Sequence, residues 1–299
     1  MISIHDQISS NRNRSIFLII IFICFLLFFG YIIGFLIGSA LIGIILMAII
    51  ACIIIPLQYY EGDKLILKMT KVRPATKKEF PHLVNTVEGL AIAAGVPAPK
   101  IYVTEDTAPN AFATGRNPEH SSIVVTTGLI QKLNRMELEG VIAHEMSHIQ
   151  NRDIKIMMLT TVIVGIVMLR SYAMVRSFIY GGHGRGGGRD KGGGILIAVA
   201  FLFLILSPII AKLMQLAISR KREFLADANG AMLTRYPPGL ASALAKLEHD
   251  KEPLEVANKA TAHLYIVNPM KNFKGWLANL GSTHPPIQKR IAALNAMSM

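Results

Sequence analysis

"AHEMSHIQNRDIKIMMLTTVIVGIVML", residues 143–169, joins two kinds of chemistry in one stretch. Its first half is polar and holds His144, Glu145 and His148 in the spacing H-E-x-x-H. Its second half is apolar. On a helix, positions i and i+4 lie on one face, so both imidazoles can turn a nitrogen to one ion. Glu145 stands beside them, placed to act as a base toward a water that the metal activates. Zinc suits imidazole ligands and generates a nucleophile near neutral pH. About seven residues separate His148 from Ile156, roughly 10–12 Å if helical. The flanking Glu137, Glu139, Gln150, Asn151, Arg152 and Asp153 argue against burial in lipid. The metal site therefore belongs beside a membrane and not within it.

The rest of the chain supports a membrane setting. Hydrophobic residues make up 52% of the 299 positions and mean hydropathy is +0.44. Residues 16–55 contain no charge and run to about twice the ~20 residues that one crossing needs. Gly34, Gly38 and Ser39 near the middle predict a helical hairpin. Arg12 and Arg14 precede it, and Lys64, Lys68, Lys71 and Arg73 follow it. Positive charge on both flanks predicts both ends in the cytosol. The net charge of +12 belongs to such loops and not to nucleic-acid binding, because no basic stripe interleaved with aromatics occurs. Cys24 and Cys52 lie in apolar runs and offer neither a disulfide framework nor zinc ligands.

Five segments follow: a cytosolic tail at 1–15, the hairpin at 16–55, and a first catalytic piece at 57–153. A second apolar pair at 154–218 with a Gly-rich loop at 181–194 comes next, then a second catalytic piece at 219–299. The first piece reads as a helix ending at Gly95, strands in "KIYVTED" and "SSIVVTTGLI", and a helix carrying the motif. Asn134 and Glu137 form a capping-box pair at its start. "NAFATG", residues 110–115, is an edge strand or a loop. The expected fold class is a mainly α-helical integral membrane protein with a zincin-like α+β catalytic domain and a small β-sheet.

A catalytic zinc needs a third protein ligand. "SRKREFLADANG", residues 219–230, offers Glu223, with Asp227 one turn on to orient a ligating histidine. His263 and His284 are the other downstream candidates. His263 lies in a packed-looking segment, and His284 precedes two prolines, which predict an extended loop. Glu223 is preferred because a helix holds a ligand more firmly.

"AHEMSHIQNRDI", "SRKREFLADA", "NAFATG" and "STHPPIQKRIAAL" together resemble the HtpX family of membrane-embedded zinc metalloproteases, relatives of the CAAX prenyl protease. The resemblance spans nearly the whole chain, the very Gly-rich loop being its one departure. It implies one zinc per chain on His144, His148 and Glu223, with Glu145 as general base and Asp227 behind a ligand. It also implies that His284 helps stabilise the tetrahedral intermediate and that Asn110 and Ala111 receive substrate backbone. Phe112 and Arg290 are expected to join them at the substrate. The expected partners are membrane-protein or polypeptide substrates and the lipid bilayer, with misfolded or damaged membrane proteins cut at the cytosolic face of a multi-pass cell-membrane enzyme. The alternative is a metal-binding transporter or sensor without hydrolase activity. Transport needs ionisable groups within the spans, and residues 16–55 have none.

Overall fold

The computed structural model describes residues 4–36, 38–161, 220–257, 261–267, 269 and 285–297. Two long helices open the chain, α1 (Ile4–Leu36) and α2 (Ala40–Met69), turning back at Gly38. Ser15–Phe35 and Ala40–Met69 are each long and apolar enough to cross a membrane. Their outward side chains, among them Phe17, Phe28, Phe35, Leu41 and Ile53, are exposed. A hydrophobic helix surface without protein cover is stable against lipid, not water. The pair meets on glycine. A Cβ on Gly43 would lie 2.1 Å from the Gly30 carbonyl oxygen and 2.6 Å from Gly34 Cα. Gly30 and Gly34 sit one turn apart, the small-residue spacing that lets membrane helices touch backbone to backbone.

α2 runs beyond the expected end of the apolar segment at residue 55. At 1.5 Å per residue its 30 residues span about 45 Å, longer than a hydrocarbon core of ~30 Å. Its last turns therefore rise out of the apolar zone. A Glu61–Lys64 ion pair of 2.8 Å decorates them, and Ile66 is fully buried.

The remaining described elements are β1 (Arg73–Pro74), α3 (Pro81–Ala94), β2 (Lys100–Thr104), β3 (Ala111–Gly115), β4 (Ser121–Thr126), α4 (Thr127–Lys132), α5 (Arg135–Gln150), a helical stretch at 153–161, α6 (Arg220–Thr234), α7 (Pro237–His249) and α8 (Ile287–Ala296). The strands form one mixed sheet in the order β1-β2-β4-β3. β2 and β4 are parallel; β1–β2 and β3–β4 are antiparallel. "NAFATG" is thus the edge strand of the two options the sequence allowed. Side chains alternate along it. Ala111, Ala113, Ile123 and Val125 join Val87, Leu90, Val141, Ile142 and Met146 of α3 and α5 in one core. Phe112 and Val124 join Ile66 of α2, Met157, Met158, Leu264 and Tyr265 in another. Both faces are covered, which is why the strands read as apolar throughout.

α3 ends at Gly95 in the left-handed conformation, as the sequence predicts. α5 starts with the predicted capping box: the Asn134 side chain accepts from Glu137 N, and Glu137 returns a bond from Asn134 N. This central helix packs against α3, α6, α7 and β3. The apolar pair expected over 154–218, with its loop at 181–194, lies outside the described residues beyond 161.

Candidate metal centre

α5 carries His144 and His148 one turn apart, both almost wholly buried. α6 crosses α5 closely because Gly230 has no side chain; a Cβ there would lie 3.0 Å from His144 N. Glu223 and Asp227 of the same helix then reach the histidines. One ligand atom from each of His144, His148 and Glu223 falls within 4.8 Å of the others. The two Nε2 atoms are 3.3 Å apart. Glu223 Oε2 stands 3.8 Å from His144 Nε2, and its Oε1 3.6 Å from His148 Nε2.

Each imidazole is held from behind by a carboxylate. His144 Nδ1 lies 3.0 Å from Asp227 Oδ1, and His148 Nδ1 lies 3.0 Å from Asp153 Oδ2. A carboxylate at Nδ1 accepts a hydrogen bond from that nitrogen's N–H and leaves the Nε2 lone pair facing the centre. Asp227 is in turn gripped by Arg290, whose Nε and Nη2 donate to it at 2.8 and 2.6 Å. Asp153 accepts from Arg222 Nη1 at 3.2 Å.

The electrostatics follow from burial and neighbours. Burial lowers the His144 pKa, the Asp227 hydrogen bond opposing it and the Arg290 charge adding to it. For His148, burial also works downward, but the Asp153 hydrogen bond and the charges of Glu223, Asp153 and Glu145 push it up to about 9. The carboxylates of Glu223, Asp153 and Glu145 thus make a negative pocket around this ring. Burial raises Glu145 to about 7, with the His148 charge opposing, Glu223 adding and the Ala113 backbone N–H opposing. Glu145 Oε2 is buried and without a hydrogen-bond partner among the described residues. Two imidazoles, a carboxylate and a nearby orphaned carboxylate oxygen fit a divalent cation with a water or substrate group beside it.

The expected residues divide. His144, Glu145, His148, Glu223 and Asp227 come together. His284 lies outside the described residues. Asn110, Ala111 and Phe112 lie at the start of β3, but their polar groups are engaged. Asn110 Nδ2 donates to Val267 O, and Ile266 N donates to Ala111 O at 3.1 Å. Phe112 is fully buried, edge-on to Tyr265 with ring centroids 5.0 Å apart. Arg290, expected at the substrate, has its guanidinium completely buried, bonded to Asp227 and to Ile266 O, with Nη1 3.6 Å from Glu223 Oε2. Asp153 is the residue that sequence reasoning missed as a histidine partner. Its signal is a turn: Arg152 takes a left-handed φ of 58°, which brings the next residue back over His148.

Fold and site together define a membrane-associated metalloprotease. The chain belongs to peptidase family M48, whose model matches residues 77–298. It is 45% identical to a protease HtpX homolog of Dictyoglomus thermophilum, over 98% of this chain and 94% of that one. A protease HtpX homolog of Thermoanaerobacter pseudethanolicus is 42% identical, over 99% of both chains. The crystal structure of S. mikatae Ste24p shares the fold over 96% of this chain, with a TM-score of 0.51 at 21% identity. This chain spans 66% of that longer protein. Peptidase membership disfavours the transporter or sensor alternative.

Proposed function

We propose that this chain is a zinc endopeptidase of zincin-like architecture that cleaves misfolded or damaged membrane proteins at the cytosolic membrane face. The observation that carries the reading is the convergence of His144, His148 and Glu223 beside the orphaned oxygen of Glu145. His144, His148 and Glu223 would hold the metal. Zinc, when bound, supplies a Lewis acid that polarises the scissile carbonyl and makes water nucleophilic near pH 7. Glu145 takes the proton of the attacking water and hands it to the leaving amine. A buried carboxylate with one oxygen free of other partners is placed for both transfers. Asp227 and Asp153 keep the imidazoles in one tautomer, and Arg290 keeps Asp227 ionised and oriented.

Substrate backbone is read as an added strand on β3. The ladder to β4 uses Asn110, whose carbonyl accepts from Thr126 N, and by alternation Phe112 and Thr114. Ala111, Ala113 and Gly115 therefore turn their backbone groups outward. Ala111 O is already taken by Ile266 N and the Ala113 N–H is turned to Glu145, so the docking position shifts along the strand to the Ala113 carbonyl and Gly115. Multi-pass insertion with a cytosolic catalytic domain follows from the charged flanks of residues 16–55.

Zinc content and cleavage of a membrane model substrate test the reading together. Glu145→Gln should keep zinc and lose at least ~10²–10⁴-fold in kcat. Glu223→Ala should lose zinc and activity together. Near-normal turnover in Glu145→Gln would remove it as the base, and zinc retained in Glu223→Ala would remove it as a ligand.

A further inference from the structure

Two adjacent tyrosines stand where α2 leaves its apolar stretch. Tyr59 and Tyr60 follow directly on a run without charge that begins at residue 16, and Glu61 is the next ionisable group. Tyrosine rings at such a boundary sit at headgroup level. The rings touch edge to face with centroids 5.1 Å apart. Each supports one cation from a different part of the fold. Arg116 Cζ lies 5.2 Å from the Tyr60 ring centre, and its Nη1 donates to Tyr60 O at 3.3 Å. Lys155 Nζ lies 5.0 Å from the Tyr59 ring centre.

Neither cation has an anionic partner among the described residues. Among the described residues, no carboxylate comes within ion-pair distance of Arg116, Lys155 or the exposed Arg152. The nearby acids do not compensate: Glu61 is used by Lys64, and Asp63 pairs with none of the three. Lys64 itself lies near enough to Arg116 for the two charges to repel. The position of Arg116 is built in by the backbone. Gly115 has φ 145°, and a Cβ there would strike the His120 carbonyl oxygen at 2.3 Å. Only glycine makes that turn, which carries Arg116 off the end of β3 to α2.

We propose that Arg116 and Lys155, mounted on Tyr60 and Tyr59, seat the phosphate of an anionic phospholipid at the membrane surface. The argument is charge complementarity at a fixed depth. Uncompensated cations at headgroup level meet a layer of phosphates, and the tyrosine rings hold them there without neutralising them. The proposal rests on the membrane placement of α1 and α2 and not on the protease reading.

The test uses the full chain in phosphatidylcholine nanodiscs carrying spin-labelled phosphatidylglycerol or spin-labelled phosphatidylcholine. The signal is the motionally restricted fraction of each label. The wild type should restrict phosphatidylglycerol preferentially. Arg116→Gln with Lys155→Gln should lower that preference by on the order of fivefold for each cation removed. Lys77→Gln, which removes a cation paired with Glu88 elsewhere on the surface, should leave it unchanged. The charge-retaining pair Arg116→Lys and Lys155→Arg should keep most of it, separating lost charge from a lost fold. The proposal is overturned if the wild type shows no preference. It is also overturned if the doubly neutral variant keeps the preference, if the charge-retaining pair loses it equally, or if inorganic phosphate at low millimolar concentration displaces the lipid.

Discussion

Arg290 and Asp153 work at one remove from the metal position, and both can be tested singly. Arg290→Met deletes the only described cation that grips Asp227, leaving a buried carboxylate beside His144. Breaking such a pair costs about 3–5 kcal/mol, so thermal unfolding should show a large fall in Tm. A substrate-binding arginine would instead raise KM and spare stability. Asp153→Asn keeps the shape but weakens the hold on His148 Nδ1. Losing such a partner costs about 10–100-fold in metal affinity, which competition with a chelator of known affinity would measure. An unchanged affinity would reduce Asp153 to a helix-start residue. The contrast with the sequence is physical. His144, Glu145, His148, Glu223 and Asp227 were legible because a helix turns spacing into direction. The tasks of Asp153 and Arg290 were not, because one depends on a left-handed turn and the other on a helix distant in sequence.

At the scale of the element, α5 is held at its start by the Glu137 carboxylate of its capping box. Burial alone would raise the Glu137 pKa, but Lys246, Ser242 and the Asn134 backbone N–H outweigh it and hold the value below the usual range. A carboxylate with a folded pKa below its unfolded value, near 4.3, stabilises fully above that value. The contribution fades as pH falls through the folded value. Glu137→Gln should therefore lower stability by about 1 kcal/mol at pH 7. The difference from wild type should close toward pH 3, as melting curves across that range would record. A constant gap would assign the loss to packing. The capping box, the end of α3 at Gly95 and the motif helix were all readable, since each depends on neighbours in sequence. The length of α2 was not. The uncharged, apolar run was ended at residue 55, yet a helix continues through polar residues while its backbone bonds stay paired.

Across the whole molecule, the hairpin rests on contact between Gly43 and the Gly30–Gly34 face. Lipid supplies no hydrophobic force between helices, so such close approach carries the association. Gly43→Leu should splay α1 from α2. Double electron–electron resonance between labels at Ile20 and Ile53 would read the splaying as a longer, broader distance distribution. An unchanged distribution would show that the glycine contact is incidental. The apolar run made this hairpin legible, whereas the β3 edge, with one neighbour in β4 and another in the segment around Ile266, required the folded chain. Arg290 also has a consequence in time. It follows His144 by 146 residues. At a synthesis rate of about 5–20 residues per second, that gap lasts roughly 7–30 s. A nascent chain carrying both histidines therefore emerges well before the arginine that locks Asp227 has been made. During that interval the Asp227 carboxylate behind His144 lacks the guanidinium that fixes it, so the site is completed only as the last helix of the chain is made.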